Sequence, residues 1–93
     1  MFVEITFDAK KNARNIQERN LPFELAAEFD FESAVTTEDT RQDYGEQRFR
    51  SLGRIESELY ALVFTTRGES IRIISLRKAN RRERARYEKN FAF

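Results

Sequence analysis

With 93 residues and neither cysteine nor histidine, the chain has room for one domain and cannot build a disulfide or a His/Cys zinc cluster. Its formal net charge of +1 hides an asymmetry, because residues 1–66 carry 8 Lys/Arg and 13 Asp/Glu whereas residues 67–93 carry 9 Lys/Arg and 3 Asp/Glu. A basic C-terminal third indicates a polyanion or an acidic protein as partner, with a solvated charged helix as the alternative. We find no apolar leader and no apolar run of about 18 residues, so we expect a soluble cytoplasmic protein without a membrane partner.

The N-terminal region predicts a short strand followed by a capped helix. Weak alternation of apolar and polar residues predicts a strand over residues 2–6. Asp8 is a suitable N-cap for a helix that runs to about Arg19, and Asn20 can end this helix in the left-handed conformation. The apolar stripe of the helix is formed by Ala9, Ala13 and Ile16.

A second helix and a set of strands follow. Pro22 suits the first turn of a shorter helix that reaches about residue 30. Its buried face is formed by Phe23, Ala26 and Ala27. Four strands are predicted, over residues 33–37, 47–55, 59–66 and 70–76. Gly53 indicates a bulge or bend, the almost continuously apolar residues 59–66 indicate a central strand, and residues 67–69 form a hairpin turn.

The last predicted element is a basic helix that begins at Asn80. Asn80 and Glu83 have the spacing of a capping box, whereas only Tyr87 and Phe91 offer clear apolar anchors. We therefore expect this helix to be the least firmly held element. Together the elements predict an α+β domain with two N-terminal helices, an antiparallel sheet and a C-terminal helix.

Four short stretches, in this order along the chain, resemble the BrnT family of toxins from bacterial toxin–antitoxin pairs. They are the aromatic-Asp opening with its Lys and Asn at residues 7–15, Phe-Glu-Leu-Ala at 23–26, Gly-Glu-Gln-Arg-Phe at 45–49 with Leu52-Gly53, and the Thr-Arg-Gly, Ile-Arg-Ile-Ile-Ser-Leu-Arg-Lys-Ala and Arg-Arg-Glu-Arg motifs with Tyr87 within residues 66–87. The resemblance implies a RelE-like fold, in which two N-terminal helices precede a strongly twisted antiparallel sheet and a C-terminal helix. It also implies metal-independent RNA cleavage without a cofactor, and neutralisation by a ribbon–helix–helix (BrnA-like) antitoxin through which the complex binds operator DNA.

Candidate site residues come from these motifs and from the chemistry that a chain without histidine allows. Attack by an RNA 2′-hydroxyl needs a base, and arginines can stabilise the added charge on the phosphate. We predict Glu46 as the base, with a lysine of depressed pKa as the alternative, Arg48 and Arg77 as phosphate clamps, and Lys11 as a supporting cation. The predicted RNA-binding residues are Lys78, Arg81 and Arg67. For each of these residues the structural alternative is a strand ion pair or an exposed surface charge.

One departure from the family pattern bears on activity. Members of the family commonly have a His-Gly pair where this chain has Arg19-Asn20. A guanidinium does not deprotonate in proteins, so Arg19 cannot take over proton transfer from that histidine. The resemblance implies a ribonuclease toxin. The departure at Arg19 favours the alternative, a non-catalytic toxin homologue that acts as antitoxin partner and co-repressor or as an RNA-binding module.

Overall fold

Five strands form one mixed sheet in the computed structural model of the protein, which describes residues 4–90. The elements are, in chain order, β1 (Glu4–Phe7), α1 (Ala9–Arg19), a 3₁₀ helix (Phe23–Glu28), β2 (Val35–Glu38), β3 (Arg48–Ile55), β4 (Glu58–Arg67), β5 (Ser70–Lys78) and α2 (Arg81–Asn90). The strand order is β1-β5-β4-β3-β2, so β4 is the central strand, as predicted. β1 pairs with β5 in parallel, and all other neighbours are antiparallel.

The predicted RelE-like arrangement of two N-terminal helices before an antiparallel sheet is wrong. The described chain is mostly β, a strand comes first, and that strand makes the sheet mixed by pairing Ile5 with Ile71 and Phe7 with Ile73. The sequence pattern did not show this pairing because it joins segments that are far apart in the chain. Local periodicity reports the conformation of a segment and carries no information on a distant partner.

The second predicted helix is a 3₁₀ helix of six residues. Phe23 and Ala26 of this helix and its C-cap residue Phe29 are all buried. A spacing of three residues puts these side chains on one face when the helix has three residues per turn. The hydrogen bond from the Phe29 N–H to the Ala26 carbonyl, at 3.1 Å, has this i to i+3 pattern. Ala27, which we predicted on the buried face, is exposed.

Helix α1 begins and ends as predicted. The Asp8 carboxylate accepts hydrogen bonds from the backbone N–H groups of Lys10 and Lys11, at 2.8 and 3.1 Å. Asn20 has a φ of 58° and ends the helix in the left-handed conformation. The strand before the helix is described from Glu4 onward, and the predicted first residues of that strand lie outside the described part of the chain.

The buried face of α1 differs from the prediction. The expected apolar stripe is exposed, with Ile16 at 42%. The buried side chain of the helix is instead Asn15, whose amide donates to the carbonyl oxygens of Leu21 and Leu76 at 2.8 and 2.9 Å. The hydrogen bond from the Asn15 amide to Leu76 therefore holds helix α1 beside β5. Burial of this amide carries little penalty because the amide is hydrogen-bonded.

One face of the sheet, the inner face, packs against the 3₁₀ helix. The core on this side consists mainly of Phe23, Phe29, Leu62, Phe64, Ile73 and Leu76. Gly53 lies here in a regular pair with Tyr60, and a Cβ on it would come within 2.5 Å of Cζ of Phe29. The predicted bulge at Gly53 is therefore wrong, and close approach of Phe29 explains the glycine. The register shift of the sheet lies instead between Val63 and Phe64, where β4 faces β5.

The opposite face, which we call the open face, is covered by α2 at one end only. Strand alternation puts on it Arg48, Arg50 and Leu52 of β3, Ala61, Val63 and Thr65 of β4, and Ser75 and Arg77 of β5. At the covered end, Leu52, Leu59 and Ala61 pack against Ala79 and Tyr87. Beyond the covered end, Thr65 is buried, whereas Arg48, Arg50 and Arg77 are half-buried.

The capping box of α2 is confirmed. The Glu83 N–H donates to Asn80 Oδ1 at 2.8 Å, and the Asn80 N–H donates to Glu83 Oε1 at 3.0 Å. Tyr87 is buried, as predicted, and its hydroxyl donates to the Ser33 carbonyl at 3.2 Å. The second predicted anchor, Phe91, lies outside the described residues. Within residues 4–90, none of the helices has the length and apolar character needed to cross a membrane.

Candidate functional site

A cleft of about 150 Å³ lies on the open face, between the sheet and α2. Its charged lining consists of Arg41, Arg50, Arg77, Arg86 and Glu83. The strands add the polar residues Thr37, Ser51 and Ser75. The lining holds four guanidinium groups and the Glu83 carboxylate, and the cleft keeps a net positive charge suited to an anion even though Asp39 binds Arg41.

Arg77 and Glu83, which both line this cleft, form a bidentate ion pair. Arg77 Nη1 and Nη2 donate to Glu83 Oε1 and Oε2 at 2.7 and 2.8 Å. These hydrogen bonds, together with the Asn80 N–H and the charges of Arg77 and Arg50, lower the pKa of Glu83 to about 2, against the cost of burial. Glu83 in turn raises the pKa of Arg77. Glu83 is therefore a poor proton acceptor at neutral pH, and its main effect is to hold the Arg77 guanidinium in a fixed orientation.

Arg50 is one of two cations of the cleft, with Arg86, whose guanidinium groups form no ion pair with another described residue. It makes no hydrogen bond or ion pair with another residue of the described chain, although it is half-buried. Its Cα pairs with Val63 and that of Arg77 with Ala61. Two residue steps and two strand spacings separate them by roughly 12 Å, so that both side chains can reach one anion above β4. Arg50 is not among the predicted site residues, although it alternates with Arg48 along β3 and therefore lies on the same face.

The loop between β2 and β3 is organised around the buried carboxylate of Asp39. This carboxylate accepts from Arg41 Nε and Nη2, both at 2.8 Å, and from the Tyr44 hydroxyl at 3.0 Å. The hydrogen bonds from Arg41 hold the pKa of Asp39 well below its usual range, with a further contribution from Tyr44. No local sequence pattern shows that Asp39 becomes buried and brings Arg41 to the cleft.

A second charged cluster lies where β3 begins and β4 ends. Glu46 accepts from Arg48 Nε at 3.4 Å and from Arg67 Nη2 at 3.0 Å. The Arg48 guanidinium lies over the Tyr44 ring, with Cζ 4.2 Å from the ring centroid. The structure therefore brings together three of the predicted site residues, Glu46, Arg48 and Arg67. The structural alternative, in which these residues only form a strand ion pair, predicts the same arrangement.

The predicted clamps Arg48 and Arg77 lie apart. Arg48 pairs with Thr65 and Arg77 with Ala61. Four residue steps along β4 and two strand spacings put their Cα atoms roughly 16 Å apart. They share the open face but lie too far apart to hold one phosphate between them.

The other predicted site residues do not line the cleft. Lys11 is exposed on α1, and Arg81 is exposed in the first turn of α2. Lys78 pairs with Tyr60 at the end of β5 and is exposed on the side of the inner face. Arg19, at the position where the family commonly has histidine, is also exposed and donates to Asn15 Oδ1 at 2.7 Å. Residues 4–90 contain no group of three or more His, Cys, Asp or Glu side chains that could hold a metal ion.

Comparison with protein families gives one match over most of the chain. Residues 7–83 match the family described as the ribonuclease toxin BrnT of type II toxin–antitoxin systems. The matched range includes the Glu46 cluster and every charged residue of the cleft except Arg86. A comparison with individual curated proteins gives no significant match.

Proposed function

The chain belongs to the BrnT family of ribonuclease toxins of type II toxin–antitoxin systems, and we propose that it cleaves RNA on the open face, with a phosphate held between Arg50 and Arg77. Family membership implies a ribonuclease activity and an antitoxin partner. The observation that supports the location is the cleft itself, which is lined by four arginines and one glutamate and in which Arg50 forms no hydrogen bond or ion pair with another described residue.

The proposed reaction is attack of a 2′-hydroxyl on the adjacent phosphorus. The bond from the 2′-oxygen to phosphorus forms as the bond to the 5′-oxygen breaks, the hydroxyl proton goes to a base, and the leaving 5′-oxygen takes up a proton. Negative charge grows on the phosphate oxygens, and arginines already aimed at it stabilise the transition state. Glu83 supports this role because it fixes Arg77 before RNA arrives. We propose that the reaction needs no metal ion or cofactor, since the arginines supply the positive charge.

Glu46 remains the proposed base. Its side chain is 29% exposed, and it is more loosely bound than Glu83. For Glu46 to act, the reacting hydroxyl must lie toward Arg48 rather than toward Arg77. The variant Glu46→Gln keeps the shape and a hydrogen-bond acceptor but loses the proton acceptor, so we expect a rate about 10²–10⁴-fold lower. An unchanged rate would assign Glu46 to the ion pair with Arg48 and Arg67 alone.

The experiment for the proposed function is single-turnover cleavage of RNA by the purified protein in EDTA. We expect Arg50→Ala to cleave about 10²–10³-fold more slowly, as for loss of one preorganised donor to the transition state. Arg14→Ala is the matched control, since Arg14 is an exposed arginine of α1 that does not line the cleft. Equal activity of the two variants would contradict the location, and activity that disappears in EDTA and returns with Mg²⁺ would contradict the metal-free reaction.

A non-catalytic function is the second candidate. It is favoured by the chemistry of the cleft, whose single lining carboxylate, Glu83, is bound by both Nη groups of Arg77, and by Arg19 in place of the family's usual histidine. In that case the protein binds RNA on the open face, or acts only as antitoxin partner and co-repressor. The same assay separates the two functions, because a non-catalytic protein leaves the RNA intact, with or without added Mg²⁺, even where it binds.

We propose a ribbon–helix–helix antitoxin as the cognate partner, with operator DNA bound through the antitoxin. The resemblance to the family supports the type of partner. The exposed cations of α2 support an acidic segment on it, since Arg81, Arg82 and Lys89 form no ion pair with another described residue. Co-purification with the product of a neighbouring reading frame, together with relief of toxicity on co-expression, is the expected result.

A further inference from the structure

We propose that Tyr44 and Arg48 form a platform on which one base of a single-stranded RNA stacks, beside the phosphate held in the cleft. This proposal rests on the proposed function and deepens it, because it names single-stranded RNA as the substrate class. Single strands are bound through unstacked bases that lie on aromatic rings or on guanidinium planes. A duplex keeps its bases stacked on one another and offers none to such a platform.

The first observation is the stack itself. Arg48 Cζ lies 4.2 Å from the centroid of the Tyr44 ring, well inside the range of a cation–π contact. Glu46 accepts from Arg48 Nε at 3.4 Å and so restrains the guanidinium from a second direction. The Arg48 side chain keeps 22% of its surface exposed. A planar group is therefore held in place with part of its surface open to a ligand.

The second observation is the support beneath the ring. The Tyr44 hydroxyl donates at 3.0 Å to Asp39, a buried carboxylate that also accepts two hydrogen bonds from the Arg41 side chain. Fixing the ring before binding removes much of the cost of ordering it when the ligand arrives. The same carboxylate therefore anchors the platform through Tyr44 and a cleft cation through Arg41.

The third observation is the position of the platform. Arg48 and Arg50 are two residues apart on β3 and project from the same face, about 7 Å apart along the strand. A strand whose phosphate lies between Arg50 and Arg77 therefore passes a neighbouring nucleotide over Arg48. This arrangement gives the two arginines of β3 different tasks, with Arg50 on a phosphate and Arg48 on a base.

The test compares intact and abasic RNA. The probes are a short single-stranded 2′-O-methyl oligonucleotide, which cannot be cleaved by 2′-hydroxyl attack, and versions of it with an abasic site at each position in turn. We expect one abasic position to weaken binding by the wild-type protein by roughly 5- to 100-fold, the range of one base stacked on a side chain. Arg48→Lys keeps the charge but loses the plane, so intact and abasic RNA should bind this variant about equally.

Two variants of Tyr44 test the aromatic ring directly, which matters if Arg48→Lys folds poorly. Tyr44→Leu removes the ring and should also abolish the discrimination, whereas Tyr44→Phe keeps the ring and should retain most of it. Arg50→Lys is the matched control, which should weaken intact and abasic RNA alike and leave their ratio unchanged.

The outcomes separate this proposal from the proposed function. Equal binding of intact and abasic RNA by the wild-type protein, with Arg50→Lys still weakening both, overturns the platform alone. A discrimination that persists in Arg48→Lys and in Tyr44→Leu also overturns it, because the base then stacks elsewhere on the protein. A wild-type protein that binds no oligonucleotide overturns the platform together with RNA binding on the open face.

Discussion

The open face of the sheet has a glutamate paired with arginine at each of its two ends, and the two glutamates differ in their burial and hydrogen bonding. Glu83 has a side chain that is 10% exposed, two hydrogen bonds from Arg77 at 2.7 and 2.8 Å and a third from the Asn80 N–H. Glu46 is 29% exposed and is shared between two arginines, at 3.4 Å from Arg48 and 3.0 Å from Arg67. The first end is closed by α2, and the second is open to solvent.

This difference teaches that the same residue types serve different purposes at the two ends. At the closed end the glutamate joins the capping box of α2 to β5, so its interactions maintain the fold. At the open end the Glu46–Arg48 contact is half-buried but long, at 3.4 Å, and the Glu46–Arg67 contact is exposed, so both contribute little to stability. Glu46 is therefore the more loosely held of the two carboxylates, whereas Glu83 fixes the orientation of Arg77.

The largest expected effect is on stability at the closed end. Glu83→Ala removes both bonds to Arg77 and one helix cap, and we expect it to lower the free energy of unfolding by about 2–4 kcal/mol. The matched change at the open end, Glu46→Ala, should cost less than about 1 kcal/mol. Urea unfolding followed by circular dichroism measures both. Equal losses for the two variants would abolish the distinction between the ends.

Acid should destabilise the protein at Glu83, and also at Asp39. The pKa of Glu83 is lowered from an ordinary value of 4.5 to about 2, so its contribution is fully present above about pH 4.5 and is lost as the pH falls toward 2. Glu83→Gln should therefore lose less stability over this interval than the wild-type protein, although the lowered pKa of Asp39 leaves part of the acid sensitivity in place. Thermal unfolding at a series of pH values measures this, and curves of identical slope for the two proteins would show that Glu83 does not carry the effect.

A smaller effect is expected from the capping residue alone. Asn80→Ala removes the acceptor of the Glu83 N–H, bonded at 2.8 Å, and should lower the free energy of unfolding by about 1 kcal/mol. Asn80→Ser should retain most of the stability, since serine caps helices about as well as asparagine. If both variants lose the same amount of unfolding free energy, the side-chain cap does not stabilise the start of α2.

The sequence predicted those parts of the fold that depend on neighbouring residues. The caps of α1 at Asp8 and Asn20, the turn of the β4–β5 hairpin at Gly68 with its φ of 60°, and the Asn80–Glu83 capping box are all local in the chain. Each follows from the conformational preference or hydrogen-bonding capacity of one or two side chains. Such features can be recognised without knowing where the rest of the chain lies.

What the sequence could not show depends on distant pairing. The parallel pairing of β1 with β5, and the register that separates Arg48 from Arg77, are set by contacts between remote segments. The exposure of Ile16 has the same origin, since α1 is fastened through Asn15 to Leu76 of β5 instead of through its apolar stripe. The kinds of residue in the candidate site, a glutamate and several arginines, could therefore be predicted from the sequence. Their division between the cleft and a separate Glu46 cluster could not, because it depends on the register of the strands.

Mapping bound RNA on the protein tests the central claim most directly. In a titration of the ¹⁵N-labelled protein with a non-cleavable single-stranded 2′-O-methyl oligonucleotide, we expect the largest amide shifts at the open face, around Arg50, Val63, Ser75 and Arg77. The amides of α1 around Lys11 should move little, because this helix lies beside β5 and does not line the cleft. Shifts concentrated on α1, with the strands of the open face unchanged, would contradict the account.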